Sequence, residues 1–148
     1  MATAFKTVQD AIVAALLQAP QITGARVYAG RARPMPEEHA ADISISLESM
    51  TGQPFMLVAG PVLWEVVYGI EIRARGTATV DAVAAVDPLL EAVYARLLAT
   101  ATPAGVEGWA ITPRIRVDVD EAATPIASLQ LALNVRLRTE PGTLTLAA

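Results

Sequence analysis

At 148 residues the chain is sized for one domain, and 53% hydrophobic against 18% charged residues excludes intrinsic disorder. With no cysteine and a single histidine, His39, it can build no disulfide, thiol nucleophile, iron–sulfur cluster or Cys- or multi-His zinc site. The formal charge of −4 repels duplex DNA on average, though a local arginine patch could still hold it. No apolar run reaches the roughly 18 residues of a membrane span, and the first residues lack the basic flank of a signal peptide, so cytoplasmic synthesis is expected.

Residues 4–18 read as an amphipathic helix, with Phe5, Val8, Ile12, Ala15 and Leu16 on one stripe and Pro20 stopping it. Val27 and Tyr28 suggest a short strand ended by Gly30. Residues 31–40, RARPMPEEHA, read as an extended surface loop because the two prolines remove backbone donors. In 42–48, Ile43, Ile45 and Leu47 alternate with Asp42, Ser44, Ser46 and Glu48, the pattern of a half-buried strand. A turn is expected at Thr51-Gly52, followed by PFMLVAGP as a strand or part of a hairpin arm. The strongest strand runs from Val62 to Arg75. Val62, Trp64, Val66, Tyr68, Ile70, Ile72 and Ala74 share one face, and Glu65, Glu71, Arg73 and Arg75 lie on the other.

A second helix is expected between Thr79 and Leu98, capped by Thr79, with Val83, Val86, Leu90, Val93, Tyr94 and Leu97 as its buried stripe. Pro88 either kinks it or divides it in two. ATPAGVEG then reads as a loop. Two closing strands follow. The first sets Ile111, Pro113, Ile115, Val117 and Val119 against Thr112, Arg114, Arg116, Asp118 and Asp120. The second sets Leu129, Leu131, Leu133, Val135 and Leu137 against Ser128, Gln130, Asn134, Arg136 and Arg138. Strands with one polar face imply an α+β fold, a two-layer sandwich of a mainly antiparallel sheet with two helices on one face. One domain over 1–148 is expected, with residues 141–148 flexible.

The strand from Val62 to Arg75 would span about 46 Å at a rise of roughly 3.3 Å per residue, against about 38 Å for a compact globule of this chain length. It must bend, with Gly69 the natural bulge position, or project and be covered by another subunit. No catalytic signature is present. The glycines form no nucleotide-binding loop, and the lone lysine, Lys6, falls in the first helix. Asp118, Asp120 and Glu121 could offer oxygen ligands to a divalent cation, and Glu37, Glu38 and His39 could do acid–base work if partly buried. Solvated carboxylates explain both sets equally.

The arginines are more informative. Six of the ten (Arg73, Arg75, Arg114, Arg116, Arg136 and Arg138) fall on polar strand faces, and Arg suits rigid bidentate pairing across an interface. An ordinary salt-laced sheet face, a partner-facing surface and a nucleic-acid surface all remain open for them. Arg31 and Arg33 flank the proline-held loop, a docking candidate. Trp64 belongs to the core or to a subunit contact, and Trp109 to the core or an interface anchor. Reversing Arg73 or Arg136 to glutamate is expected to spare the fold and weaken assembly.

Taken in order, ITGARVYAGRARP after the first helix, LWEVVYGIEIRARG, DAVAAVDPLLEAVYARLLA and ITPRIRVDVDEAATPIASLQLALNVRLRT resemble the tail terminator, or tail completion, proteins of long-tailed bacteriophages (minor tail protein U-like). The resemblance implies a small α+β subunit, a hexameric ring and no enzymatic activity or cofactor. It also implies a place at the head-proximal end of the virion tail, after assembly in the host cytoplasm. There the ring would cap the tube of major tail protein, stop its polymerisation and meet a head completion or connector protein, while DNA passes through the lumen without specific binding and no membrane is involved. A neck protein, a tube subunit and a small-molecule-binding or enzymatic α+β domain are the competing readings.

Overall fold

The computed structural model describes residues 2–23, 26–30, 33–54, 60–112, 115–120 and 124–147. The elements are α1 (Ala4–Leu17), β1 (Val27–Ala29), β2 (Ala41–Pro54), β3 (Val62–Arg75), α2 (Ala82–Ala99), β4 (Val106–Ile111), β5 (Arg116–Asp120) and β6 (Ile126–Thr139). The six strands form one open sheet in the order β1-β2-β3-β6-β4, with β5 also on β6, beside β4 along the same edge. All pairings are antiparallel except β1 with β2, which is parallel. Both helices pack on one face, so the expected α+β two-layer architecture is present.

The core forms where the strand alternation meets the helix stripes. Phe5, Val8, Ile12 and Leu16 of α1 and Val86, Val93 and Leu97 of α2 close over Ile43, Ile45, Tyr68, Ile70, Ile72, Leu129, Leu131 and Leu133. Tyr68 is buried within this layer, and its hydroxyl donates to the Phe5 carbonyl at 2.7 Å. Burial disfavours the phenolate and pushes the Tyr68 pKa well above its ordinary value. Thr3 caps α1 by accepting from the Lys6 amide at 3.4 Å. At the other end Arg96 of α2 donates to the carbonyls of Ala15 and of the C-cap Gln18 at 3.0 and 2.9 Å, acceptors that the end of α1 leaves open, and to the Pro20 carbonyl of the segment that follows at 2.7 Å.

Several expectations change. Helix α2 is continuous through Pro88, but its N-cap residue is Asp81; Thr77 and Thr79 belong to the preceding turn, where the Thr77 hydroxyl accepts from the Thr79 and Val80 amides. Its buried stripe is narrower than expected, because contact runs through Ala82, Val86, Val93 and Leu97 and leaves Val83 and Tyr94 exposed. Nothing turns at Thr51-Gly52. β2 runs straight on to Pro54, paired with β3 along its full length. Gly52 is needed there for packing, since a Cβ would meet the Trp64 ring at 2.8 Å. The bulge expected at Gly69 sits instead on the neighbouring strand, between Leu47 and Ser49. The extra residue is Glu48, whose carboxylate lies over Gly69 where any side chain would block it.

Residues 101–105 form the expected loop, but the last three residues of that segment, Val106 to Gly108, open strand β4, which runs on through Trp109 to Ile111. The single strand expected over 111–120 is broken: Ile111 pairs with Leu133 and Arg116 with Gln130, five steps on one strand against three on the other. The described tail residues fold back, with Thr139 bridged to Leu146 and the Ala147 amide donating to the Arg138 carbonyl at 2.8 Å.

Candidate assembly interface

The sheet has one covered face and one open face. On the open face the register places Asp42 beside Arg73, Glu65 beside Arg136, and Ser128 and Gln130 beside Asp118 and Arg116. Arg73 grips Asp42 with two bonds, Nε to Oδ1 at 2.8 Å and Nη2 to Oδ2 at 2.5 Å, and the Asp42 side chain is only 3% exposed. The hydrogen bonds that Arg73 donates to Asp42 raise the Arg73 pKa, with partial burial opposing the effect and the charge of Asp42 adding to it. Arg75 donates to the carbonyls of Met35 and Pro36, both at 3.2 Å, and of His39 at 3.3 Å. It therefore staples the proline-containing segment onto the sheet. Arg136 meets Glu65 at 3.2 Å and Arg138 meets Glu107 at 2.7 Å, both in the open.

These contacts redefine the candidate residues. Arg73 and Arg75 serve the subunit's own structure, so reversing Arg73 is expected to cost stability in the subunit itself, beyond any effect on assembly. A glutamate there would face the buried Asp42 carboxylate. Arg136 and Arg138 form exposed pairs that a partner can exchange at little cost. The side chains of Arg33 and Arg116 have no ion-pair or hydrogen-bond partner among the described residues. Arg31 and Arg114 lie outside the described residues, as does Glu121.

Both tryptophans turn inward. The Trp64 ring packs edge-on against Phe5, with centroids 5.2 Å apart, and its Nε1 donates to Thr139 Oγ1 at 3.0 Å. Trp109 Nε1 donates to the Leu97 carbonyl at 3.0 Å, tying β4 to the end of α2. Asp118 and Asp120 share the open face of β5. Among the described residues no three acidic or histidine groups converge as a metal site. Glu37 and Glu38 are exposed, while His39 is half-buried with Nδ1 unpartnered.

What the arginine pattern did not reveal is where the sheet is unfinished. β1 borders β2 only at Ile43–Ile45, so beyond it the outer edge of β2 is unpaired among the described residues, and residues 47–54 are all exposed. At the opposite side β5 is an outer edge with all five residues exposed. Val117 and Val119 pair with Leu129 and Ala127, which places them on the helix-bearing side, yet Val117 is 52% exposed. Leu47 and Met50, opposite Tyr68 and Val66, lie on that same side and are also exposed. The alternation in 115–119 carried a signal for this, because no helix was available to cover a last strand. Six of the described arginines (Arg26, Arg73, Arg75, Arg96, Arg136 and Arg138) are engaged; Arg26 and Arg96, which bond backbone carbonyls, gave no sequence cue.

No helix is long and apolar enough to cross a membrane among the described residues. Comparison with protein-family models and with curated proteins returns no match.

Proposed function

We propose that the chain is a non-enzymatic ring subunit that closes with copies of itself through its two open sheet edges, and that the ring caps a bacteriophage tail tube and presents a surface for joining the head. The carrying observation is that the free edge of β2 and the free edge of β5 are complementary in polarity and in face. In the order β2-β3-β6-β5 every neighbour is antiparallel, so β2 and β5 run in opposite senses. β5 stands level with the start of β2, since Asp118, Ser128, Arg73 and Asp42 lie abreast, while the free stretch of β2 begins at Leu47. Repeating the subunit by rotation therefore sets β5 of one copy antiparallel to the free edge of β2 in the next only when the strands are steeply inclined to the ring axis. Both edges carry their exposed apolar residues on the helix side and their polar residues on the open side, as one continued sheet requires.

Such a contact is heterologous and closes into a ring when its rotation closes. The bulky helices belong on the outer circumference and the open face toward the lumen. Four strands abreast at about 4.8 Å give each copy about 19 Å of arc. Six copies, the number the family resemblance implies, then enclose about 37 Å between opposing backbones, and strand tilt widens this. The lumen wall would carry serines, Gln130, Asn134, the paired Arg73, Arg136 and Arg138 and the unpaired Arg116 near Asp118, a mixed surface with little net positive charge to grip passing DNA.

Replacing Val117 and Val119 together by aspartate tests the edge. Both side chains are substantially exposed in the subunit, so the variant should melt within a few degrees of the parent. It should elute as a monomer in light scattering. A variant that keeps the parent's assembled mass removes β5 from the interface.

A further inference from the structure

Between the 33–40 segment and the open face of the sheet lies a cleft of about 480 Å³ whose lining includes Tyr28, Arg33, His39, Asp42, Ser44 and Arg73. The ladder sets its floor, with Tyr28 abreast of Ser44 and Asp42 abreast of Arg73 on the helix-free side. Arg75 holds the far wall in place by donating to three carbonyls of the segment. The cavity is thus framed by the subunit's own hydrogen bonds.

Several of its polar groups have no partner. Ser44 is only 4% exposed, yet its hydroxyl makes no hydrogen bond among the described residues, and the Tyr28 hydroxyl and His39 Nδ1 make none either. A buried polar group left unpaired is a standing cost that a ligand can remove. Along β1 the Ile43 amide donates to the Arg26 carbonyl at 3.0 Å and the Gly30 amide to the Ile45 carbonyl at 2.7 Å. That alternation turns the amides of Val27 and Ala29, which also border the cleft, away from β2.

The charges leave one cation over. Arg73 is gripped by Asp42 and also feels the charge of Glu71, which stands abreast of Ser44 on the same face. Arg33 is exposed, and its side chain is unpaired among the described residues. A free guanidinium beside hydroxyl and amide donors suits a carboxylate. Asp42 and Glu71 would repel the second charge of a phosphate dianion. Pro34, Pro36 and the Tyr28 ring add apolar wall for the rest of the molecule.

We propose that this cleft binds a small monocarboxylic acid with a flat apolar body, its carboxylate held by Arg33 and the Ser44 hydroxyl and its body set against the Tyr28 ring and the prolines. The site lies within one subunit, so it stands or falls separately from the ring.

Benzoate is the probe, titrated against the purified chain by ligand-observed NMR, which serves a monomer and an assembly alike. Benzamide, of the same shape without the charge, and inorganic phosphate are the comparisons. Benzoate should bind saturably with a dissociation constant of about millimolar order, and both comparisons at least about tenfold more weakly. Arg33→Gln should weaken benzoate at least about tenfold, since it removes a charge-assisted contact. Its melting should be unchanged, because the side chain is exposed. Lys6→Gln, which removes the same charge from α1 on the opposite face of the sheet, should bind as the parent does. No saturable benzoate binding, benzamide or phosphate binding as tightly as benzoate, or an Arg33→Gln chain that binds like the parent would each overturn the assignment.

Discussion

Leu131→Asp should abolish folding. Leu131 is 3% exposed and pairs with Ile70 at the centre of the sheet, beneath the helices. Truncation to alanine there would cost about 2–5 kcal/mol through lost contacts and the cavity left behind. Aspartate adds the desolvation of a carboxylate for which that apolar layer offers no partner. Domains of this kind are stable by only about 5–15 kcal/mol, so the sum takes most or all of the reserve. Circular dichroism of the purified variant should show no cooperative melt, with the chain largely insoluble. A soluble Leu131→Asp protein melting like the parent would mean that the face assignment of β6 is wrong.

Arg73→Glu should be the most damaging change on the open face. The Asp42 carboxylate loses both charge-assisted bonds and gains a like charge at the adjacent register position. Removing one member of a buried pair costs about 3–5 kcal/mol, and the 13% exposure of the Arg73 side chain argues for the lower end. Arg136→Glu is the internal comparison. Its pair with Glu65 is open to solvent on both sides, so the expected loss is about 1 kcal/mol or less. Denaturant midpoints of the two variants, measured side by side, separate the cases. Equal midpoints would show that the bidentate contact contributes nothing beyond an ordinary surface pair.

The contrast between those arginines shows what a one-dimensional reading captures. Alternation in β3 and β6 located the faces, because a period of two leaves only one way to bury Tyr68, Ile70, Leu131 and Leu133 together. The stripe of α1 was equally plain. Partners were not legible, since Arg73 and Arg136 look alike in sequence and differ only in whether the acid across the ladder is buried. Gly52 and Gly69 read as a turn and a bend because those are the usual uses of glycine. Here each makes room for a neighbour's side chain, Trp64 and Glu48, which no local pattern encodes. Pro113, read as an inward residue of a regular strand, lies outside the described residues; the strand expected over 111–120 is divided between Ile111 and Arg116, leaving the separate β5 that the proposed assembly contact uses. Arg33 could be named as a docking candidate from its loop, but not its cleft, because the floor comes from β1, β2 and β3.

If the sheet is completed by other copies of the chain, as proposed, native mass spectrometry of the purified protein across a range of concentrations will show it. A closed sheet requires one discrete multiple of the 15.5 kDa subunit, unchanged as concentration rises, with no open-ended series of larger species. A monomer at every concentration, or a ladder of ever longer oligomers, would contradict it.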